Sequence, residues 1–262
     1  MLLKDKVVII SGIGPGLGVK LAVEAARYGA SALAIGARTL DKLDEAERRI
    51  KEVNAECAVL KQPTDIRNEA DCKRLAQAAQ SRFGRIDGLV NSAFFWGTPG
   101  TADESDLKVW REVVDTNFFG TMQMTQAVVP IMKSQKAGAI TIVSTMATIK
   151  PHVGEAGYAA SKGALNVVTK YLATELGPFN IRVNIARMGW MWGAPVQGYI
   201  AYASKEQGIS EKQMYDAVAA NIPLRRIVTD DECARAALFL ISDHASAVTG
   251  AVLDANGGEG LP

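Results

Sequence analysis

Tyr158 and Lys162 stand four residues apart in the run Tyr158-Ala159-Ala160-Ser161-Lys162. On a helix that spacing puts both side chains on one face. A tyrosine hydroxyl is a poor acid or base at neutral pH, with an ordinary pKa of about 10. A neighbouring ammonium favours the phenolate and brings the hydroxyl toward the working range. Such a hydroxyl exchanges a proton with an alcohol or carbonyl while a nicotinamide exchanges a hydride. A second run, Ser11-Gly12-Ile13-Gly14-Pro15-Gly16-Leu17-Gly18, suits the cofactor this needs. It follows an apolar run and opens an amphipathic one. Glycines there let the backbone turn tightly against a diphosphate, and a helix N-terminus supplies free N–H groups and positive dipole charge. Gly12, Gly16 and Gly18 fit G-x-x-x-G-x-G; Leu17 breaks the common G-x-G-x-x-G. No Lys-Ser/Thr pair follows, so the loop is not of the ATPase type. About twenty residues on comes Gly36-Ala37-Arg38-Thr39. An acid there would bind the ribose 2′-hydroxyl of NAD(H); Arg38 instead favours the 2′-phosphate, so NADP(H) is expected over NAD(H).

The elements that must hold these residues alternate along the chain. Continuous apolar runs, such as Lys6–Ile10, read as strands buried on both faces. Further strands are expected at 32–36, 57–61, 86–91, 139–144, 181–186 and 251–254. Helices are expected at 17–28, with Gly29 past the end, and at 41–53, 69–83, 158–176 and 230–241. Leu107, Trp110, Val114, Phe118 and Met122 predict a long helix that stops near Pro130. The segment from about 189 to 221 is rich in Trp, Met, Tyr and Gly and reads as a lid over a substrate. Seven strands separated by helices imply a three-layer, Rossmann-like, doubly wound parallel sheet with helices on both faces, all one domain over residues 1–262.

Composition narrows the function. Hydrophobic residues are 48% and charged residues 22% of 262, which excludes global disorder. Lys plus Arg number 29 against 28 Asp plus Glu, so no net field draws nucleic acid or an anionic membrane. No apolar run reaches the roughly 20 residues of a bilayer span, and Met1–Lys6 lacks the look of a secretion signal. Cys57, Cys72 and Cys233 are odd in number and far apart, as buried thiols of a reducing, cytoplasmic compartment would be. His152 and His244 are the only histidines and lie far apart, so no metal is expected.

Taken in order, the motifs resemble the short-chain dehydrogenase/reductase family over nearly the whole chain. They are the glycine loop, Asp65 after the third strand, Asn91-Ser92-Ala93 after the fourth, Asn117 in the long helix, Ser144-Thr145 after the fifth, and Tyr158 with Lys162. The resemblance implies cofactor contacts at Gly12, Gly14, Pro15, Gly16, Leu17, Gly18, Arg38, Thr39, Asp65, Ile66, Asn91, Ala93, Tyr158, Lys162 and Gly189. It implies that Asn117 bends its helix and holds a water that relays protons to Lys162. The family's substrate-holding serine is replaced. Its usual spacing before Tyr158 falls on Thr145, whose hydroxyl donates the same bond with a stiffer χ1, and Ser144 is the alternative. A homotetramer or dimer packed through the helices near 107–129 and 158–176 is also implied.

The sequence departs from the family pattern in three further places. Phe94 stands where a glycine is usual, Met188 where a proline is usual before Gly189, and no threonine occurs in Trp190-Met191-Trp192-Gly193. With Phe94-Phe95-Trp96, Tyr199 and Tyr202 near the same sheet edge, this predicts an aromatic wall for a bulky hydrophobic ketone or alcohol. A non-catalytic dinucleotide sensor or scaffold of the same fold is the competing reading. A hydrolase is set aside because no Gly-x-Ser-x-Gly turn exists.

Overall fold

The computed structural model describes residues 1–260; the last two positions of the expected domain lie outside the described residues. Seven strands form one parallel sheet: β1 Val7–Ser11, β2 Ala32–Ala37, β3 Ala58–Pro63, β4 Gly88–Asn91, β5 Gly138–Thr145, β6 Ile181–Met188 and β9 Val252–Ala255. Their order is β3-β2-β1-β4-β5-β6-β9. The chain therefore runs outward from β1 in one direction and restarts at β4 on β1's other side. That reversal opens a crevice beyond the C-terminal ends of β1 and β4, where open α/β sheets bind ligands.

Each strand feeds two cores, as apolar runs without alternation require. Val8 and Ile10 pack with helices α1 Leu17–Arg27, α2 Leu40–Val53 and α9 Asp230–Ile241, while Ile9 between them faces the opposite layer. That layer holds α3 Glu69–Phe83, α5 Thr121–Gln135 and α6 Ala156–Leu176, with Met124, Val128, Leu165 and Leu172 in its core. The three-layer expectation is met. Cys57, Cys72 and Cys233 are free and buried, and burial pushes their thiols up to about 11, 12 and 12.

Two features differ from the sequence expectation. The long helix does not stop at Pro130. It runs as α4 Leu107–Val114, a π turn Asp115–Gly120, then α5 to Gln135 with Pro130 inside it. Pro130 and Gln126, four residues earlier, are both exposed, so water reaches the side of the helix where the missing N–H leaves a carbonyl free. Fully buried Met132 and the Gln135 side chain, bonded to both Ile86 N–H and Ile86 C=O at 2.8 Å, hold the last turn in place. The 189–221 segment is ordered into β7 Met191–Trp192, α7 Ala194–Gln207 and α8 Glu211–Ala219. β7 pairs with β8 Val228–Thr229. Ile200, Ala203, Met214, Val218, Ile222 and Ile227 give this part a small core of its own. No helix of the described residues is long and apolar enough to cross a membrane.

Candidate active site

The crevice is a cleft of about 580 Å³ running from Arg38 to Tyr158. Its floor is the glycine loop. Gly12 has φ +99°, and a Cβ there would lie 2.2 Å from Ala93 N; one on Gly18 would lie 2.1 Å from Gly12 O. These two glycines let β1, β4 and α1 meet. Gly14 instead faces open space, with nothing within 4 Å of a Cβ there, and a Cβ on Gly16 would only touch Pro195, at 3.8 Å, and Asp230, at 3.9 Å. Gly16 caps α1 without a side-chain bond, and the first turn holds no acid. The free N–H groups and positive end of α1 therefore point at the cleft, a fit for a diphosphate.

At one end Arg38, Lys42 and Arg67 line the cleft. Arg67 grips Asp65 at 2.6 Å and holds that carboxyl below the usual range. Asp65 thus brings no free charge, and two cations remain. Lys42, in the first turn of α2, is a cation the glycine-loop motif does not point to. Thr39, beside Arg38, does not line the cleft. It caps α2 in an extended conformation, where successive side chains alternate, so Arg38 lines the cleft and Thr39 does not.

At the other end lies Tyr158, part-buried on α6. Its ring centroid is 6.2 Å from that of Phe94. Trp110 of α4 packs where Gly157 has no side chain, which seats α6. Burial pushes the Tyr158 hydroxyl above its ordinary value, the Glu155 carboxylate adds to this, and the Thr145 side chain opposes it. Lys162 is only 2% exposed; its ammonium donates to Val143 O at 2.9 Å, and burial lowers it to about 8. Thr145, the last residue of β5, lines the cleft with Tyr158. Ser144 lines the cleft, but its hydroxyl donates to Asn166 Oδ1 at 2.9 Å.

Two expected residues do not line the cleft with their side chains. Asn91 is buried and its amide donates to Thr125 at 3.1 Å, so Ser92 and Ala93 line the cleft in its place. Asn117 is fully buried in the π turn and its side chain is outside the cleft. It accepts from Phe95 N at 2.7 Å and donates to Phe95 O and Ser161 Oγ, both at 2.9 Å. Ser161 in turn donates to Tyr158 O at 2.7 Å. Asn117 therefore ties the Phe94–Phe95 loop to the Tyr158 helix. Gly189, Ile66, Pro15 and Leu17 line the cleft as expected.

The aromatic wall divides. Phe94 and Phe95 line the cleft, 59% and 40% exposed. Trp190 and Trp192 instead pack on the small core, Trp190 against Tyr199 at 5.3 Å and Trp192 edge-on to Tyr215 at 4.8 Å. Met191 between them, with Pro195 and Val196, faces the cleft. Asp230, buried at the start of α9, also lines it and was not foreseen.

A family model described as enoyl-(acyl carrier protein) reductase matches residues 12–259. A 3alpha-hydroxysteroid dehydrogenase of Mediterraneibacter gnavus is 31% identical over 262 residues, covering 98% of each chain. The structure of L-sorbose reductase from Gluconobacter frateurii with NADPH and L-sorbose superposes with a TM-score of 0.92 at 28% identity, covering 100% of both chains. That of an NAD+-bound xylitol dehydrogenase does so at 0.89 and 26%, covering 98% of this chain and 99% of the other. With the cleft, these matches place the chain in the short-chain dehydrogenase/reductase family, as an oxidoreductase that uses a nicotinamide dinucleotide.

Proposed function

We propose that this protein interconverts a bulky hydrophobic ketone and its secondary alcohol with NADP(H). The observation that carries the reading is Tyr158 at the end of the glycine-loop cleft, with Thr145 lining the same cleft and the Phe94 ring against the tyrosine. The nicotinamide supplies or takes up the hydride when bound. Gly14, Pro15, Gly16, Leu17 and the first turn of α1 would hold its diphosphate. Thr145 donates a hydrogen bond to the substrate oxygen and Tyr158 exchanges the proton with it. Burial keeps that proton on the phenol at neutral pH, the state needed to donate to a carbonyl. Lys162 brings a buried positive charge to the same wall. Residues 189–221 act as the lid, and Pro195 and Val196 are its cleft-facing edge.

A hydrophobic substrate is supported by Phe94 and Phe95 in the cleft and by exposed Ile149 and Val153 on the loop before α6. The steroid named for the Mediterraneibacter relative agrees; the sugars named for the two structures do not. A panel of aryl and polycyclic ketones, sugars and acyl thioesters decides. Turnover confined to the last two classes would refute this substrate class.

The NADP(H) preference rests on Arg38 and Lys42. Arg38→Leu is expected to weaken NADPH binding at least tenfold, with NADH within about twofold, since a charge-assisted bond to phosphate contributes about 1.5–3 kcal/mol. Fluorescence titration with both cofactors reads this. Equal losses for both would remove Arg38 from the 2′-phosphate site. The two hydroxyls at the end of β5 are separable too. Thr145→Ala should lower kcat/KM roughly a hundredfold, as loss of an oxygen-holding donor does, and Ser144→Ala only a few-fold. Steady-state rates with one ketone check this.

Exposed Leu107 and Phe119 on the α4–α5 rod, and Val167 and Tyr171 on α6, support a homo-oligomer packed through these helices. Light scattering is expected to give a dimer or tetramer, and a monomer would refute it.

A further inference from the structure

Asp230 is the first residue of α9 but does not cap it. Thr229 and Glu232 close that end in a reciprocal capping box. The Asp230 carboxyl, free of that duty, lines the cleft while only 4% exposed, and its Oδ1 has no hydrogen-bond partner. Buried polar oxygens are rarely left so, because the lost hydration is not replaced. The surroundings are shaped for it. A Cβ on Gly193 would fall 2.1 Å from Oδ2 and 2.4 Å from Oδ1, so a side chain there would evict the carboxyl. On the other side, a Cβ on Gly16 would lie 3.9 Å from Oδ2, beside Pro195. The carboxyl therefore stands between the glycine loop and the start of α7. The nearby Lys20 ammonium is held by Asp231 at 3.0 Å.

Burial raises the Asp230 carboxyl above its ordinary range, which marks how poorly its charge is compensated, and while ionised it only accepts hydrogen bonds. A diphosphate offers acceptors of the same charge and cannot satisfy it. The nicotinamide carboxamide carries two N–H donors. Trp190, Met191, Trp192 and Gly193, which run along this edge, have no side-chain acceptor oxygen. We propose that Asp230 is a cofactor-binding residue whose free carboxyl oxygen accepts an N–H of the nicotinamide carboxamide and fixes the rotation of the ring. The inference rests on the nicotinamide reading of the cleft.

Calorimetric titration with three ligands tests it: NADP+, its 3-acetylpyridine analogue, in which a methyl replaces the amide nitrogen, and 2′-phospho-ADP-ribose, which lacks the ring. The unphosphorylated series replaces them if the protein binds that series instead. The unsubstituted protein is expected to prefer NADP+ over the acetylpyridine analogue about tenfold, the loss of one hydrogen bond to a charged group. Asp230→Ala should abolish that preference and leave 2′-phospho-ADP-ribose binding within about twofold. Asp230→Asn, which keeps an acceptor oxygen, should retain it. Equal affinity of the unsubstituted protein for the two ring-bearing ligands overturns the proposal, even if the alanine variant fails to fold. So does an equal change in all three affinities in Asp230→Ala, which would mark a prop for the glycine loop or a charge opposing the diphosphate. If none of the three binds the unsubstituted protein, the cofactor reading itself fails, an outcome distinct from either.

Discussion

Tyr158→Phe is expected to lower kcat by about a thousandfold and to leave dinucleotide binding within about twofold. The rate loss is the usual contribution of a positioned acid or base, on the order of 10²–10⁴. The substitution removes one oxygen and little else. The ring keeps its place against Phe94, because that contact is between rings. The helix keeps its tie to Asn117, because Ser161 bonds the backbone oxygen of residue 158, not its side chain. Single-turnover rates beside a fluorescence titration separate the two effects. A variant that retains more than a tenth of the rate would mean another group moves the proton. If the parent protein binds cofactor but turns over none of the ketones, alcohols, sugars or thioesters offered, the sensor or scaffold reading takes over.

Lys162→Met is expected to reduce turnover to a comparable degree and, unlike most active-site losses, to stabilise the cofactor-free fold at pH 7. The reason is burial. An ammonium with one carbonyl partner in the core is depressed from 10.5 to about 8. Folding therefore disfavours the charged lysine, and the gap corresponds to about 3 kcal/mol. The penalty is fully present below pH 8, where both folded and unfolded chains hold the proton. It shrinks between about pH 8 and 10.5, where the folded chain has released its proton and the unfolded chain has not. Stability of the parent thus rises with pH through that window, and the advantage of the methionine variant fades. Methionine leaves the Val143 carbonyl without its donor, so the net gain at pH 7 is about 1–2 kcal/mol. Urea unfolding of both proteins at pH 7 and pH 10 reads it. An advantage that is absent at pH 7, or unchanged at pH 10, would mean Lys162 is not strained by burial.

Much of this architecture is legible in the residues. Parallel strands covered on both faces must be apolar throughout, so Val7–Ile10 and Leu33–Ile35 announce themselves. Gly12 and Gly18 are legible because only glycine survives such close backbone contact. Other features leave no such mark. The π turn keeps the three- and four-residue steps of its flanks, so Leu107 to Met122 reads as plain helix. Aromatic composition does not tell a wall from a core, and Trp190 and Trp192 went to the core. Thr39 and Asn91 are decided by which way one residue faces, and the motif does not encode this. Asp230 hides in Asp230-Asp231-Glu232, which reads as ordinary acids in a helix's first turn. Only its burial sets it apart.

The π turn also sets a phase between the two halves of one rod. α4 must present Trp110 to Gly157, and α5 must present Met124, Val128 and Met132 to the sheet. An α-helix rotates about 100° with each residue. Straightening residues 115–120 into ordinary α-helix at the same length would swing one half by about that angle against the other. Trp110 or the three core residues would then face water, and Asn117 would lose Phe95. A surface helix normally absorbs small length changes at its ends. This one is indexed from its middle, so its length between Trp110 and Met124 is not free to drift.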